Sequence, residues 1–282
     1  MGEFQRIMRS ALGLLETGTP FALATVVRVR GAAPRHSGAR MLVLPDGRTE
    51  GTVGGATLER RVIQHALEAL QEGRPRYETY LFSTKPEDKD KSVGLCGGEV
   101  DIHIDVVKPD PRLLIIGAGH IAIPLARMAV MLDMRVAVVD DRPDYANRER
   151  FPDAEEIHIV RYDEETEELA PIDARVDSNT FVVVATWGWD QPALAQVLLG
   201  NPAYVALVAS PAKAKAIFQG LRGQGLPEER LAEVKTPAGL DIGAETPAEI
   251  ALSILAEILS VRRSRGRKPT TEANRRGSAP ED

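Results

Sequence analysis

Residues 113–141 read LLIIGAGHIAIPLARMAVMLDMRVAVVDD, and this stretch decides the fold. Leu113, Leu114, Ile115 and Ile116 make an apolar run of the length of a fully buried parallel strand. The run breaks at once into glycines and then into a helical apolar pattern. Gly117, Gly119 and Ala122 fall on the spacing G-x-G-x-x-A. The first glycine permits a tight turn, the second lets a pyrophosphate approach the backbone, and the alanine allows close helix–strand packing. Ile121, Leu125, Met128 and Leu132 continue at helical spacing, with Pro124 in the first turn, where a missing N–H costs least. Residues 136–139 read as a second buried strand ending in Asp140 and Asp141, where an acidic side chain meets a ribose 2′-hydroxyl; the adjacent Arg142 suits a 2′-phosphate instead. The expectation is a Rossmann-type strand–helix–strand unit with an anion site at the helix N-terminus. The alternative is a doubly wound domain whose glycine turn packs without a nucleotide.

Downstream, residues 156–160, 180–185 and 204–208 supply further buried strands, and helical patterns over 191–199 and 211–222 lie among them. Thr246-Pro247-Ala248-Glu249 is a capping box with proline at the first helical position, opening a helix that buries Ile250, Ile254, Leu255 and Ile258. From Arg262 onward no apolar residue is larger than alanine or proline, which predicts a disordered tail. Upstream, Phe4, Ile7, Met8, Ala11, Leu12 and Leu15 predict an amphipathic helix over 3–17. Residues 21–29 read as a strand, and 40–44 and 48–53 as a hairpin around Pro45-Asp46-Gly47. A helix follows over 57–72, then a strand over 77–82, a charged loop at 84–91 and a half-buried strand over 99–107. Lys108-Pro109-Asp110-Pro111 reads as a linker. The predicted fold is α/β: an N-terminal α/β domain with a mixed sheet (1–108), a Rossmann-like doubly wound parallel-sheet domain (109–261) and the tail (262–282).

With 282 residues and 43% hydrophobic content the chain can bury two cores. A formal charge of -6, with no basic stripe in the folded part, argues against general nucleic-acid binding. A single cysteine forms no internal disulfide and fits a reducing compartment. No apolar run reaches membrane-spanning length, so the expected location is the cytoplasm.

The one thiol, Cys96, lies among Gly94, Gly97 and Gly98. Accessible N–H groups there lower a thiol pKa and hold an anion, giving a reactive or metal-binding thiolate; the other reading is a small buried residue in a turn. A second glycine loop over residues 51–59, with Gly54 and Gly55, opens a helix with Thr57 as a candidate cap and is another candidate anion site. Arg35 and Arg40 on the preceding segment offer positive charge to a phosphate. His120 is expected to face the crevice at the strand ends, unless it is a satisfied structural histidine. Trp187-Gly188-Trp189 follows a strand into the same region, unless the tryptophans simply pack in the core, with Asp190 as cap of the next helix. Zinc is not expected, because one cysteine and five scattered histidines give no ligand pair.

Taken together, Gly31-Ala32-Ala33-Pro34-Arg35 with Gly38-Ala39-Arg40-Met41, the loop at 51–59, residues 94–98, Gly117-Ala118-Gly119-His120, Asp140-Asp141-Arg142 and residues 237–244 resemble the XdhC/CoxI family of xanthine dehydrogenase accessory proteins. The resemblance covers nearly the whole chain except the tail. It implies a maturation factor that binds molybdenum cofactor, in a mono- or dinucleotide form, and protects it while a cysteine desulfurase supplies its sulfido ligand. The factor then delivers it to the apo-enzyme of a molybdenum hydroxylase. In that setting Cys96 contacts molybdenum or relays sulfur. Family members often carry a cysteine where this chain has Ala56, arginine and histidine where it has Thr186-Trp187-Gly188-Trp189, and arginine at the helix that Ala209-Ser210-Pro211 precedes. The pattern is that of a divergent subgroup, serving a carbon-monoxide-dehydrogenase-like or other hydroxylase. Two competing readings rest on Gly117, Gly119 and Asp140: an NAD(P)-dependent oxidoreductase, and a nucleotide-sensing interaction protein. The amphipathic first helix and the apolar last helix suit a homodimer, and equally well internal core.

Overall fold

The computed structural model describes residues 2–83, 92–94 and 97–264. The expected charged loop at 84–91, Cys96 and most of the expected tail lie outside them. The chain divides into two compact units, Met1–Pro109 and Asp110–Asp282.

In the first unit, α1 (Glu3–Glu16) leads into β1 (Phe21–Gly31), β2 (Arg40–Val43), β3 (Thr49–Gly51), α2 (Ala56–Glu72), β4 (Arg76–Leu81) and β5 (Gly98–Val107). The strands form one sheet in the order β3-β2-β1-β5-β4. The sequence predicts a mixed sheet, but among the described residues every strand pair is antiparallel, and the parallel relation is confined to an isolated Leu81↔Ser92 bridge. Strand alternation sorts the side chains onto two faces. Ala22, Ala24, Met41, Val43, Ile102 and Ile104 pack with Leu58, Val62, Ala66 and Ala69 of α2. Phe21 and Leu42 pack with Ile7 and Ala11 of α1. α2 ends at Gly73, whose left-handed φ of 65° donates its N–H back to the Ala69 carbonyl.

The second unit runs β6 (Arg112–Ile116), α3 (Ala122–Val130), β7 (Arg135–Asp140), β8 (Glu156–Ile159), a hairpin β9 (Tyr162–Asp163) and β10 (Glu168–Leu169), and β11 (Thr180–Val184). It continues with α4 (Asp190–Val197), β12 (Tyr204–Leu207), α5 (Pro211–Gly223), α6 (Glu228–Leu231), β13 (Val234–Lys235) and α7 (Pro247–Ser264). Its six-stranded sheet has the order β13-β12-β11-β6-β7-β8, and every pair is parallel. This is the doubly wound Rossmann arrangement, with the order reversing between β6 and β11. Leu113, Ile115, Val136, Val138 and Val183 face α3 and α7, whereas Leu114, Ile116, Val139, Val182 and Val184 face α4 and α5. Two-sided burial explains why these strands read as continuous apolar runs. The hairpin β9–β10, α6 and β13 are too short to register as periodic segments in the sequence. Among the described residues no helix is long and apolar enough to cross a membrane.

Candidate functional site

The turn after β6 is built as its glycines require. Gly117 has φ 103°, and a Cβ there would lie 2.2 Å from the Ala185 carbonyl oxygen, so no other residue fits against the β11 end. Over Gly119 a Cβ would meet nothing within 4 Å, leaving open space above the backbone. α3 begins after Ile121, which offers no side-chain cap to the helix N–H groups. His120 is exposed on this turn.

Asp140, at the end of β7, is fully buried. Its Oδ2 accepts the Ala118 N–H at 2.6 Å, and its Oδ1 accepts the Arg142 N–H at 3.0 Å and Arg142 Nε–H at 2.8 Å. Burial pushes the Asp140 pKa up, but the Arg142 guanidinium and the two backbone N–H groups outweigh it and hold the carboxyl below its ordinary range. A ribose hydroxyl would have to replace one of these bonds, so the residue that the spacing assigns to a ribose holds the glycine turn to β7. Asp141 is partly exposed and accepts Trp189 Nε1–H at 3.1 Å. Burial, and then the charge of Asp140, push its pKa up. Arg150 adds a second tie, donating Nη2–H to the Ala118 carbonyl at 3.0 Å. The guanidinium carbons of Arg142 and Arg150 lie 3.9 and 4.8 Å from the Tyr145 ring centroid. The irregular segment 142–150 shows no periodicity, and this clamp had no sequence signal.

Across the switch point, the loop 185–189 carries two indoles with opposite fates. Trp189 is 1% exposed and Trp187 is 87% exposed. Asp190 does not cap α4 as expected; Trp189 holds the N-cap position, and Asp190 is the first helical residue. Its Oδ1 instead accepts the Thr186 N–H at 3.2 Å, folding the loop back on itself, while Lys213 Nζ stands 2.6 Å from Oδ2 as an ion pair without hydrogen-bond alignment. Thr186 Oγ1 is buried without a partner.

In the first unit, three glycine-bearing segments meet. A Cβ on Gly98 would fall 2.2 Å from the Ala32 carbonyl oxygen, one on Gly31 2.9 Å from the Gly97 carbonyl oxygen, and one on Gly54 3.1 Å from Pro34 Cβ. Residues 31–35 therefore touch both Gly54 and the Gly97–Gly98 pair. Gly55, φ 113°, is the N-cap of α2 without a side-chain cap bond, and Thr57 lies inside the helix rather than capping it. The N–H cradle at this helix start has an occupant. Glu59 Oε1 takes the Thr52 hydroxyl and faces the Gly55 N–H at 3.4 Å, and Thr52 Oγ1 accepts the Gly54 N–H at 3.3 Å. Burial raises the Glu59 pKa, but the Thr52 hydroxyl and the N–H groups of residues 53–55 outweigh it and hold the carboxyl below its usual value. An acid in the first helical turn after paired glycines was the available signal for this contact. Arg35 is already paired, its Nη2 lying 2.9 Å from both Glu3 oxygens. Arg40 stacks 4.9 Å from the Phe4 ring centroid and donates to the Gly38 carbonyl at 3.3 Å.

Among the described residues no cluster of three metal-ligating side chains occurs. A cleft of about 610 Å³ in the second unit is lined by residues 237–244, by 208–210 before α5, and by Ile250 and Ser253 of α7. Another of about 650 Å³, beside the β9–β10 hairpin and α4, contains no residue that the sequence singled out.

The family model described as the XdhC Rossmann domain matches residues 113–258, and the model of the XdhC and CoxI family matches residues 14–81. The chain belongs to the XdhC and CoxI family. Among curated proteins it is 40% identical over 258 residues to YqeB of Escherichia coli (strain K12), covering 91% of this chain but 46% of that protein. The chain thus spans about half the length of this relative. It is 27% identical over 286 residues to the molybdenum cofactor insertion chaperone PaoD of the same organism, covering 92% of this chain and 89% of PaoD. It is 26% identical over 340 residues to a probable xanthine dehydrogenase subunit of Bacillus subtilis (strain 168), covering 93% of this chain and 98% of that protein. A crystal structure of a xanthine dehydrogenase from Bacillus halodurans aligns with a TM-score of 0.48 at 22% identity, over 96% of this chain and 98% of that one.

Proposed function

We propose that the chain is an accessory protein that binds molybdenum cofactor as cargo, supports its sulfuration by a cysteine desulfurase, and delivers it to the apo-enzyme of a xanthine- or carbon-monoxide-dehydrogenase-like molybdenum hydroxylase. The observation that carries this reading is the meeting of residues 31–35 with Gly54 and with Gly97–Gly98, the segment that holds the only thiol. A soft thiolate suits molybdenum or a sulfur relay, and glycine N–H groups suit the pterin phosphate. In this assignment Cys96 is the metal contact or sulfur carrier. Gly54, Gly55, Gly97 and Gly98 line the cradle, and Arg35 and Arg40 supply the positive rim. The relatives named for molybdenum cofactor insertion and for xanthine dehydrogenase support the same reading.

The Rossmann turn then serves the nucleotide end of a dinucleotide cofactor, or a separate NAD(P), with Gly117, Gly119, His120 and Asp141 facing it and Asp140 fixing the turn. The protein works as a cytoplasmic homodimer. An NAD(P)-dependent oxidoreductase is the weaker reading, because both Asp140 oxygens are engaged within the protein.

Anaerobic loading with isolated molybdenum cofactor, followed by gel filtration and metal analysis, tests the proposal. The wild-type chain should retain molybdenum and activate the apo-hydroxylase. Cys96→Ser should lose most of the metal with its circular dichroism unchanged. Equal retention by the two proteins sinks the role of the thiol, and nicotinamide turnover without molybdenum retention sinks the chaperone assignment.

A further inference from the structure

We propose that the first turn of α1 is a latch: Glu3 and Phe4 hold Arg35 and Arg40 in the empty protein, and an anion bound at the Gly54–Gly55 cradle takes the arginines and lets the turn go. The inference rests on the anion cradle of the proposed function and adds a regulation to that same site.

Consecutive residues of one helix grip both arginines of the rim, each by a different chemistry. Arg35 Nη2 lies 2.9 Å from each Glu3 carboxylate oxygen. The Arg40 guanidinium carbon stands 4.9 Å from the Phe4 ring centroid. The two arginines come from separate places, the loop after β1 and the first residue of β2. Among the described residues neither has a second side-chain partner. The Arg35 stem runs beside the cradle, since a Cβ on Gly54 would come 3.4 Å from Arg35 Cγ. Ile7, one turn further along α1, is seated on Gly51, where a Cβ would come 2.5 Å from Ile7 Cδ1. Gly51 ends β3 and leads into the cradle loop. One helix end thus touches the 31–35 loop, the start of β2 and the approach to Gly54.

The body of α1 is fixed by apolar burial, with Ile7 1% exposed and packed beside Ala11 on Phe21 and Leu42. Its first turn has no such anchor. The Glu3 side chain is 40% exposed and Phe4 is 53% exposed, and Gly2 at the N-cap has no side chain to bond the helix N–H groups. An exposed ion pair and an exposed cation–π contact each shift an equilibrium only a few-fold. One guanidinium nitrogen shared by two oxygens is also a poorer contact than the two-nitrogen fork that a phosphate accepts. The incoming anion therefore wins the arginines, and the movement stops at Ile7.

The amides of residues 6–8 report release, because their hydrogen bonds close the first turn; the Arg6 N–H, for example, donates to the Gly2 carbonyl at 3.2 Å. Hydrogen exchange of the full chain would be followed by mass spectrometry during titration with inorganic pyrophosphate. Sodium chloride at matched ionic strength is the control, since screening alone loosens an exposed pair. Pyrophosphate should speed exchange at residues 6–8 by about 5-fold and leave residues 11–15 unchanged. Glu3→Gln and Phe4→Leu should each exchange about 2-fold faster there without the anion, and each should lower the pyrophosphate midpoint by about the same factor. Phe4→Leu removes the ring but no charge. A midpoint lowered by Glu3→Gln alone would be relief of repulsion and would overturn the latch, as would unchanged or slower exchange at residues 6–8 under pyrophosphate. Molybdenum retention is read separately. A chain that retains the metal with this exchange unchanged keeps the cargo assignment and loses the latch, and one that unlatches but retains no metal does the reverse.

Discussion

Two adjacent carboxylates at the end of β7 respond to the fold in opposite directions. The pKa of Asp140 is held down, so its contribution to stability is present above the ordinary aspartate range and is lost as pH falls through its depressed folded value. That of Asp141 is pushed up by burial and by Asp140, so it favours folding at low pH and loses that advantage as pH rises through its raised value. Asp140→Asn leaves one acceptor where the carboxylate serves Ala118 and Arg142, and should cost about 2 kcal/mol near pH 7, with the deficit shrinking toward acid. Asp141→Asn keeps an oxygen for the Trp189 bond and should leave the neutral-pH melting temperature unchanged or raised. Thermal unfolding of both variants near pH 7 and near pH 4 checks this; the same sign for both at neutral pH would contradict the opposed shifts. At this scale the sequence was half legible. The spacing placed an acid at the end of β7, but whether its oxygens face a ribose or the Ala118 N–H is a matter of angstroms that spacing does not carry.

Among local devices the full capping box was readable, whereas the single-residue caps expected at Thr57 and Asp190 did not form. Thr246 and Glu249 form the predicted capping box, with Glu249 Oε2 accepting the Thr246 N–H at 2.9 Å and Thr246 Oγ1 accepting the Glu249 N–H at 3.3 Å. Further along α7, a contact forms that no local pattern shows. Glu257 Oε2 accepts the Tyr204 hydroxyl at 2.5 Å and the Gly239 N–H at 3.0 Å, joining helix, β12 and the cleft loop 237–244 through one oxygen. Burial and then the neighbouring Glu257 push the Tyr204 pKa up, keeping the phenol a donor. Glu257→Ala should cost about 1–3 kcal/mol in chemical denaturation and raise hydrogen exchange at Gly239, whereas Glu257→Gln should recover part of both. Unchanged exchange at Gly239 in the alanine variant would show that the loop is held by packing alone. Such packing is close, since a Cβ on Gly239 would come within 2.3 Å of Ser253 Oγ.

At the scale of the molecule, apolar runs were enough to anticipate a parallel sheet after an N-terminal α/β region. Apart from the β2–β3 hairpin, which the turn residues announced, the pairing directions of the first sheet were not legible, because β1 and β5 are joined only by contacts between residues far apart in sequence, such as Phe21 with Val107. Among the described residues the four buried clusters each lie within one unit, two in Met1–Pro109 and two in Asp110–Asp282. A fragment spanning 110–264 should therefore fold alone, with a cooperative thermal transition and the helix content of the second unit; a non-cooperative melt would show that its core needs the first unit. The Glu59 carboxylate in the Gly54–Gly55 cradle has a consequence for the proposed carrier role. A phosphate entering there would have to evict an anion that the chain itself provides, so loading would be an exchange, and the same side chain would be on hand to refill the cradle on departure.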